Sequence, residues 1–337
     1  MTPVLAFFNN RSGVGKTSLA YHLAWMYSDI GKRVVVADLD PQANLTSSFL
    51  NEEELEKIWD EKSAPGSTIF SCVKPLFDAG EFATPILKRL DQNLFFLPGD
   101  AALFSLEDAL SEQWHTGTGN NNLYRPMRAL SAFWQVLQMC AVQAQADIVV
   151  LDTGSNLSAI NRSALIAANF IIMPLGSDIF SFHGLKDSGP TLRNWARLWQ
   201  KRLDNWKVCQ ETENYPEFRL PAGEMKTVWY TCQQIGAPRS RSDNTYWKWA
   251  YMIPAAYHMS ILSEAYQKSS EPAKDPYCLA IIKHYRSLVA MGLEYKKPIF
   301  KLTPADGAVG AHANAAVDAR KDFNALALRI ADKIGLN

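Results

Sequence analysis

The chain has 337 residues, 47% of them apolar and 20% charged, with 34 cationic side chains balanced by 34 anionic ones. That is the composition of a globular chain long enough to bury a large core. The charge balance excludes a global positive field for nucleic acid and leaves only a local patch for that role. Five widely spaced cysteines (Cys72, Cys140, Cys209, Cys232 and Cys278) form no Cys-x-x-Cys pair and read as reduced thiols in a cytosolic protein. No basic leader with an apolar run opens the chain, and no apolar run approaches the roughly 20 residues of a membrane span.

Taken in chain order, apolar runs of strand length occur at Val4–Phe8, Val34–Ala37, Leu94–Leu97, Ile148–Leu151, Phe170–Leu175, Val228–Cys232 and Ile299–Leu302. They are apolar throughout and do not alternate, the pattern of strands covered on both faces. Helical patterns lie between them at Ser18–Ile30 and Leu130–Gln143. A last one, Asp322–Ile334, carries Phe323, Leu326, Leu328, Ile330 and Ile334 near helical spacing. The alternation predicts one α/β domain over 1–337, with a doubly wound, mostly parallel sheet between helices. Residues 51–71 and 192–297 exceed single crossover connections. The latter is expected to be an aromatic-rich helical elaboration containing Trp195, Trp199, Trp206, Trp229, Trp247 and Trp249. The spacing of Leu192, Trp195, Leu198 and Trp199 predicts core helices, and an aromatic face for a partner is the competing reading.

The stretch NNRSGVGKTSLA, Asn9 to Ala20, falls between the first strand and the first helix. In that context backbone N–H groups at a helix N-terminus wrap phosphates, Lys16 reaches the β and γ oxygens, and the Thr17 hydroxyl ligates magnesium. Gly13 and Gly15 allow the backbone to approach the phosphates closely. The general eight-residue phosphate-loop pattern asks for glycine where Asn10 stands, so one position is missed. Asp38 and Asp40 end the second strand, and Asp152 ends a later one. Each carboxylate alone could cap a helix. Together, at the carboxyl edge of a parallel sheet, they favour a magnesium nucleotide site.

With these residues in place the chain resembles the ParA/MinD family of deviant Walker ATPases. N-N-R-S-G-V-G-K-T resembles that family's K-G-G-V-G-K-T loop, D-L-D-P-Q-A-N-L-T its D-x-D-P-Q-x-N-x-T segment and V-V-L-D-T-G-S its Walker B region. L-F-F-L-P-G-D and the segment A-A-N-F-I-I-M-P-L-G-S-D-I-F-S-F-H-G-L resemble it further, so residues 1–190 carry most of the likeness. The resemblance implies ATP or ADP on the loop Arg11, Ser12, Gly13, Val14, Gly15, Lys16, Thr17 and Ser18. It implies magnesium at Thr17 with Asp38 and Asp152, and an attacking water oriented by Asp40 with Asp38. It also implies slow hydrolysis in a homodimer closed over two nucleotides, binding of nonspecific DNA in the ATP state, and a small adaptor linking the ATPase to a cargo. Such a protein is cytoplasmic and nucleoid-associated.

Arg11 stands where the family carries the lysine that crosses the dimer interface. Three readings compete: Arg11 acts in trans as an arginine finger, Lys186 in F-S-F-H-G-L-K-D replaces it, or the ATPase is crippled. The departure resembles the carboxysome-distribution branch (McdA), whose loop also lacks lysine. The C-terminal helix balances two aspartates against two cations, which predicts packing on the domain and no membrane binding. DNA candidates are Arg239, Arg241, Lys296, Lys297, Lys301, Arg320 and Lys321. Two alternatives remain at this point: an ATP-dependent metabolic synthetase of the related P-loop fold, and a nucleotide-gated scaffold that does not hydrolyse ATP.

Overall fold

Val4–Phe7 forms the strand β1, and its side chains alternate between two cores: Val4 and Ala6 on one face of the sheet, Leu5 and Phe7 on the other. A strand buried on both faces needs an apolar residue at every position, which explains the unbroken runs in the sequence. The structure is a computed structural model describing the chain except residues 61, 79, 117–122, 214–217, 234–242, 266–270, 286 and 337; for 211–213, 226–228 and 243–247 only the backbone is described.

After β1 come α1 (Lys16–Asp29), β2 (Val34–Asp38), α2 (Asn44–Phe49), α3 (Glu52–Trp59), α4 (Ile69–Phe77), β3 (Lys88–Arg89) and β4 (Leu94–Leu97). The middle of the chain forms α5 (Glu107–Thr116), α6 (Tyr124–Leu130), α7 (Ala132–Ala144), β5 (Ile148–Asp152), α8 (Ala159–Ile166) and β6 (Phe170–Gly176). The remainder is α9 (Ile179–Glu213), β7 (Lys226–Gln233), α10 (Asp243–Tyr257), β8 (Cys278–Ile282), α11 (Ser287–Glu294) and α12 (Ala311–Ile334). Among the described residues these strands form one sheet in the order β3-β4-β2-β5-β1-β6-β7-β8. All pairings are parallel except β3 with β4. The α/β doubly wound, mostly parallel architecture expected from the sequence is therefore present.

The helix α1 stops where Gly31 enters the left-handed region (φ 85), and its last carbonyls are taken by the N–H groups of Gly31 and Lys32. One core gathers around α7, α8 and α9 with Phe133 and Trp199; the other gathers around α1 and α12 with Phe7, Tyr27 and Phe323.

Several sequence expectations need correction. Ile299–Leu302 is not a strand: Ile299–Lys301 is a 3-10 turn between Pro298 and Pro304, and the Ile299 N–H donates to His22 Nε2 at 3.2 Å. Its apolar residues fill the seam between α1 and α12, so the run is buried without belonging to the sheet. The eighth strand is Cys278–Ile282, parallel to β7. Leu130–Gln143 is divided at Ser131 into α6 and α7. The last helix begins at Ala311, and Leu328, expected on its apolar stripe, is 52% exposed. Trp195, Trp199, Trp206 and Trp229 are buried, in agreement with the core reading. The stretch 192–297 contributes β7 and β8 to the main sheet as well as helices. The side chain of Trp247 lies outside the described residues.

Candidate nucleotide site

The chain leaves β1 through Asn9, whose side-chain amide donates to the Pro174 carbonyl at the end of β6 (2.7 Å), and whose Oδ1 accepts the Arg11 N–H (3.0 Å). Gly13 (φ 77) and Gly15 (φ 86) then turn the backbone through the left-handed region, where a side chain is strained. Gly15 is the N-cap of α1, with no side-chain cap and no acidic residue in the first turn. The first N–H groups of a helix have no partner within it, and with the helix dipole they suit an anion.

Lys16 is buried, and its ammonium donates to Ser155 Oγ (2.5 Å) and to the Arg11 carbonyl (3.2 Å). Burial lowers its pKa, and the negative charges of Asp152 and Asp40 oppose that shift. Thr17 Oγ1 donates to Asp152 Oδ2 at 2.7 Å, while Asp152 Oδ1 is buried without a hydrogen-bond partner. Asp38 is fully committed to its own loop: Oδ1 accepts from the Asp40 N–H (3.1 Å), and Oδ2 accepts from the Thr46 N–H (2.9 Å) and hydroxyl (2.8 Å). Asp40 turns the same loop by accepting the Gln42 N–H at 3.0 Å. Burial pushes Asp38 up to about 7, and burial followed by the charge of Asp38 pushes Asp152 well above the ordinary carboxylate range.

These residues fit a magnesium ion. A hydroxyl and a carboxylate with one uncommitted buried oxygen are hard oxygen donors, and the crowded carboxylates outnumber the single ammonium of Lys16 beside them. Among the described residues no group of three His, Cys, Asp or Glu side chains could hold a metal by itself. Thr17 and Asp152 would therefore hold the ion together with phosphate and water oxygens, the usual arrangement for magnesium.

A cavity of about 700 Å³ opens over the loop, lined by Lys16, Thr17 and Asp40, by Tyr21 and His22 further along α1, and by Leu293 of α11. Its volume is in the range of small-molecule sites. Tyr21, His22, Ser155 and Thr46 were missed by sequence reasoning. The first two follow Ser18 at helical spacing, so the α1 pattern held a signal for them; Thr46, on α2, closes the D-L-D-P-Q-A-N-L-T segment, and Ser155 is located by the loop after β5 alone.

Both candidate trans cations are tied to α9 or the residue before it. Arg11 pairs with Asp178, donates to Ser181 Oγ at 3.2 Å and covers the Phe180 ring at 5.1 Å. Lys186, on α9, is exposed and sits 4.5 Å from the centroid of Phe182. α9 meets the phosphate loop at Gly184, where a Cβ would come within 2.9 Å of Asn10 Oδ1.

The DNA candidates are mostly neutralised within the chain. Lys297 pairs with Asp306 (2.6 Å), Lys301 with Asp29 (2.7 Å) and Asp91, Arg320 with Asp29 (3.3 Å) and Lys321 with Asp318 (3.7 Å), while Lys296 donates to the Ser47 carbonyl (2.6 Å). Lys301 and Arg320 share Asp29 and so lie on one face. Arg239 and Arg241 lie outside the described residues. No described helix is long and apolar enough to cross a membrane, and α12 buries Phe323, Leu326 and Ile330 against the domain.

Comparison with known proteins agrees with this geometry. Residues 2–204 match the family described as AAA domain. The cell division protein PomZ of Myxococcus xanthus is 28% identical over 236 residues, which cover 64% of this chain and 64% of PomZ. The chain thus spans less than two thirds of that relative. Among solved structures, protein DIP2308 of Corynebacterium diphtheriae superposes with a TM-score of 0.70 at 21% identity, covering 99% of both chains. The pNOB8 ParA bound to nonspecific DNA superposes with a TM-score of 0.54 at 15% identity, covering 99% of both chains. These two structural likenesses concern the fold. With the family match covering more than half the chain and the carboxylates gathered at the loop, the chain belongs to the AAA domain family, with a P-loop of ParA/MinD type.

Proposed function

We propose that the protein is a ParA-type positioning ATPase. It closes as a homodimer over two Mg·ATP, binds DNA without regard to sequence in that state, and releases it when an adaptor carrying a cargo accelerates hydrolysis. The observation that carries this reading is the convergence of Lys16, Thr17 and Asp40 on one cavity, with the buried Asp152 behind them accepting the Thr17 hydroxyl on Oδ2 and leaving Oδ1 uncommitted. The likeness to a ParA that binds nonspecific DNA supports the DNA step, and the loop lacking its first lysine supports the microcompartment-positioning branch, with a plasmid as the alternative cargo.

In this reading the N–H groups of the loop and Lys16 neutralise the phosphates, and Thr17 and Asp152 hold the magnesium, which supplies charge neutralisation when bound. Asp40, at the cavity wall, orients water for in-line attack, while Asp38 fixes the Asp40 loop through Thr46. Catalysis is then positioning and charge stabilisation, with no covalent intermediate on the protein. Arg11 supplies the cation that reaches the partner's nucleotide, with Lys186 as the second candidate.

The test is retention of the full chain on duplex DNA of unrelated sequences with ATP, ADP or no nucleotide, over a series of salt concentrations. ATP-dependent, sequence-indifferent retention that weakens steeply with salt is expected. Retention that ignores nucleotide, or hydrolysis that requires a small carboxylate substrate and not DNA, would overturn the reading.

A further inference from the structure

The guanidinium of Arg11 is held on the first turn of α9 by three contacts: the carboxylate of Asp178, the hydroxyl of Ser181 and the face of Phe180. The carboxylate is the fixed partner. Asp178 Oδ1 accepts the N–H groups of Phe180 and Ser181, each at 2.9 Å, at the N-terminus of a long helix. Ser181 Oγ is fixed in turn by the Gly176 N–H at 2.9 Å. Glycine at 176 leaves room for this arrangement, because a Cβ there would lie 2.5 Å from Asp178 Oδ2 and push the carboxylate aside. Burial raises the Asp178 pKa, but Arg11 and the two backbone N–H groups lower it further, so the carboxylate stays ionised.

Arg11 is the movable partner. Its side chain is 35% exposed and that of Asp178 37%, so solvent weakens their attraction and the pair can be exchanged. If the guanidinium leaves, Asp178 keeps its two backbone N–H donors and the helix dipole, so its charge is not orphaned. A phosphate offers Arg11 the same bidentate oxygen geometry as the carboxylate, with more negative charge.

We infer that Asp178 is a positioning residue for Arg11: it holds the guanidinium against its own chain and yields it to a phosphate oxygen of the nucleotide on a second copy when the dimer closes. This inference rests on the proposed trans role of Arg11. Because α9 carries the anchor, the exchange also ties the start of α9 to nucleotide state. The Asp178 to Arg11 pair sets how much ATP is needed for closure, since each closure breaks it twice, once per subunit.

The experiment measures the ATP concentration for half-maximal dimerisation by light scattering, using the full chain, Asp178→Asn, Arg11→Ala and the double variant. Asparagine keeps an oxygen for the Phe180 and Ser181 N–H groups, and thermal unfolding of each variant verifies folding. Asp178→Asn is expected to lower the half-maximal concentration by about three- to tenfold, the scale of an exposed to half-buried charge-assisted pair. Arg11→Ala is expected to abolish ATP-dependent dimerisation in both backgrounds. An unchanged or raised half-maximal concentration in Asp178→Asn, with Arg11→Ala still impaired, overturns the inference and leaves the trans role standing. Normal dimerisation of Arg11→Ala overturns the trans role, and a shift caused by Asp178→Asn in that background shows that the carboxylate acts through something other than Arg11.

Discussion

Asp38 and Asp152 occupy the same register position across the β2–β5 ladder, and Asp152 also pairs with Phe7, the last residue of β1. Two carboxylates more than a hundred positions apart are thus set side by side at the mouth of the phosphate loop by sheet register. Burial raises both pKa values, with the charge of Asp40 adding to the shift of Asp38 and that of Asp38 to the shift of Asp152, a cost that a divalent cation relieves.

The first prediction follows from that pair. Asp152→Asn removes the uncommitted oxygen's charge beside Thr17, so magnesium-dependent nucleotide binding should weaken by about tenfold or more, the scale of one lost charge-assisted contact. Calorimetric titration with ATP in magnesium and in EDTA checks this. Equal affinities of the variant and the parent in magnesium would count against Thr17 and Asp152 as the metal site.

Lys16→Ala should abolish nucleotide binding while leaving the chain folded. The ammonium is a buried donor to the loop and to Ser155, and its loss leaves the carboxylates without their internal cation. Fluorescent ATP titration alongside thermal unfolding separates the two effects; retained binding would sink the phosphate role of Lys16.

His22 predicts a pH dependence of stability. Its Nδ1 contacts the Ser18 carbonyl (2.6 Å) and so carries the hydrogen, Nε2 accepts the Ile299 N–H, and the ring stacks on Phe323 at 4.8 Å. Burial lowers its pKa from 6.5 to about 4. Between those values the unfolded chain binds the extra proton, so this contribution is complete above pH 6.5 and is lost as pH falls towards 4, by about 3 kcal/mol. Asp38 acts with the opposite sign: its raised pKa makes the folded state the better proton binder between 3.8 and about 7, so its contribution declines as pH rises through that window. Urea unfolding of the parent and His22→Gln across pH 4 to 7 isolates the histidine term, because Asp38 is common to both. Parallel stability curves would refute it.

Gly99 carries a fourth prediction. A Cβ there would come within 2.9 Å of Asp38 Cγ, and the Gly99 N–H donates to Thr46 Oγ1 at 2.7 Å, so glycine supports the same loop that Asp38 organises. Gly99→Ala should cost about 1–3 kcal/mol through overpacking and slow ATP hydrolysis without removing nucleotide binding. Hydrolysis at the parental rate would show that the loop tolerates the shift.

Much of this was legible in the sequence. Unbroken apolar runs identify the buried strands β1, β2, β4, β5, β6 and β7 because burial on both faces forbids polar positions, whereas the short β3, Lys88–Arg89, carries no such run; G-V-G-K-T marks the loop because its glycines and lysine have few substitutes chemically. Ile299–Leu302 misled because a run buried between α1 and α12 has the same composition as a strand. Cys278–Ile282 was hidden inside a stretch read as a helical elaboration.

The sequence by itself determined the chemistry available at the edge of the sheet: an anion-binding loop, a buried cation and three carboxylates at strand ends. Only the tertiary structure decided how those groups are divided. It commits Asp38 to Thr46 and Asp40, leaves one oxygen of Asp152 uncommitted and ties Arg11 to Asp178. Each assignment depends on contacts between residues distant in the chain, and these are fixed by strand register and by close approach at Gly176 and Gly184, which no local pattern encodes.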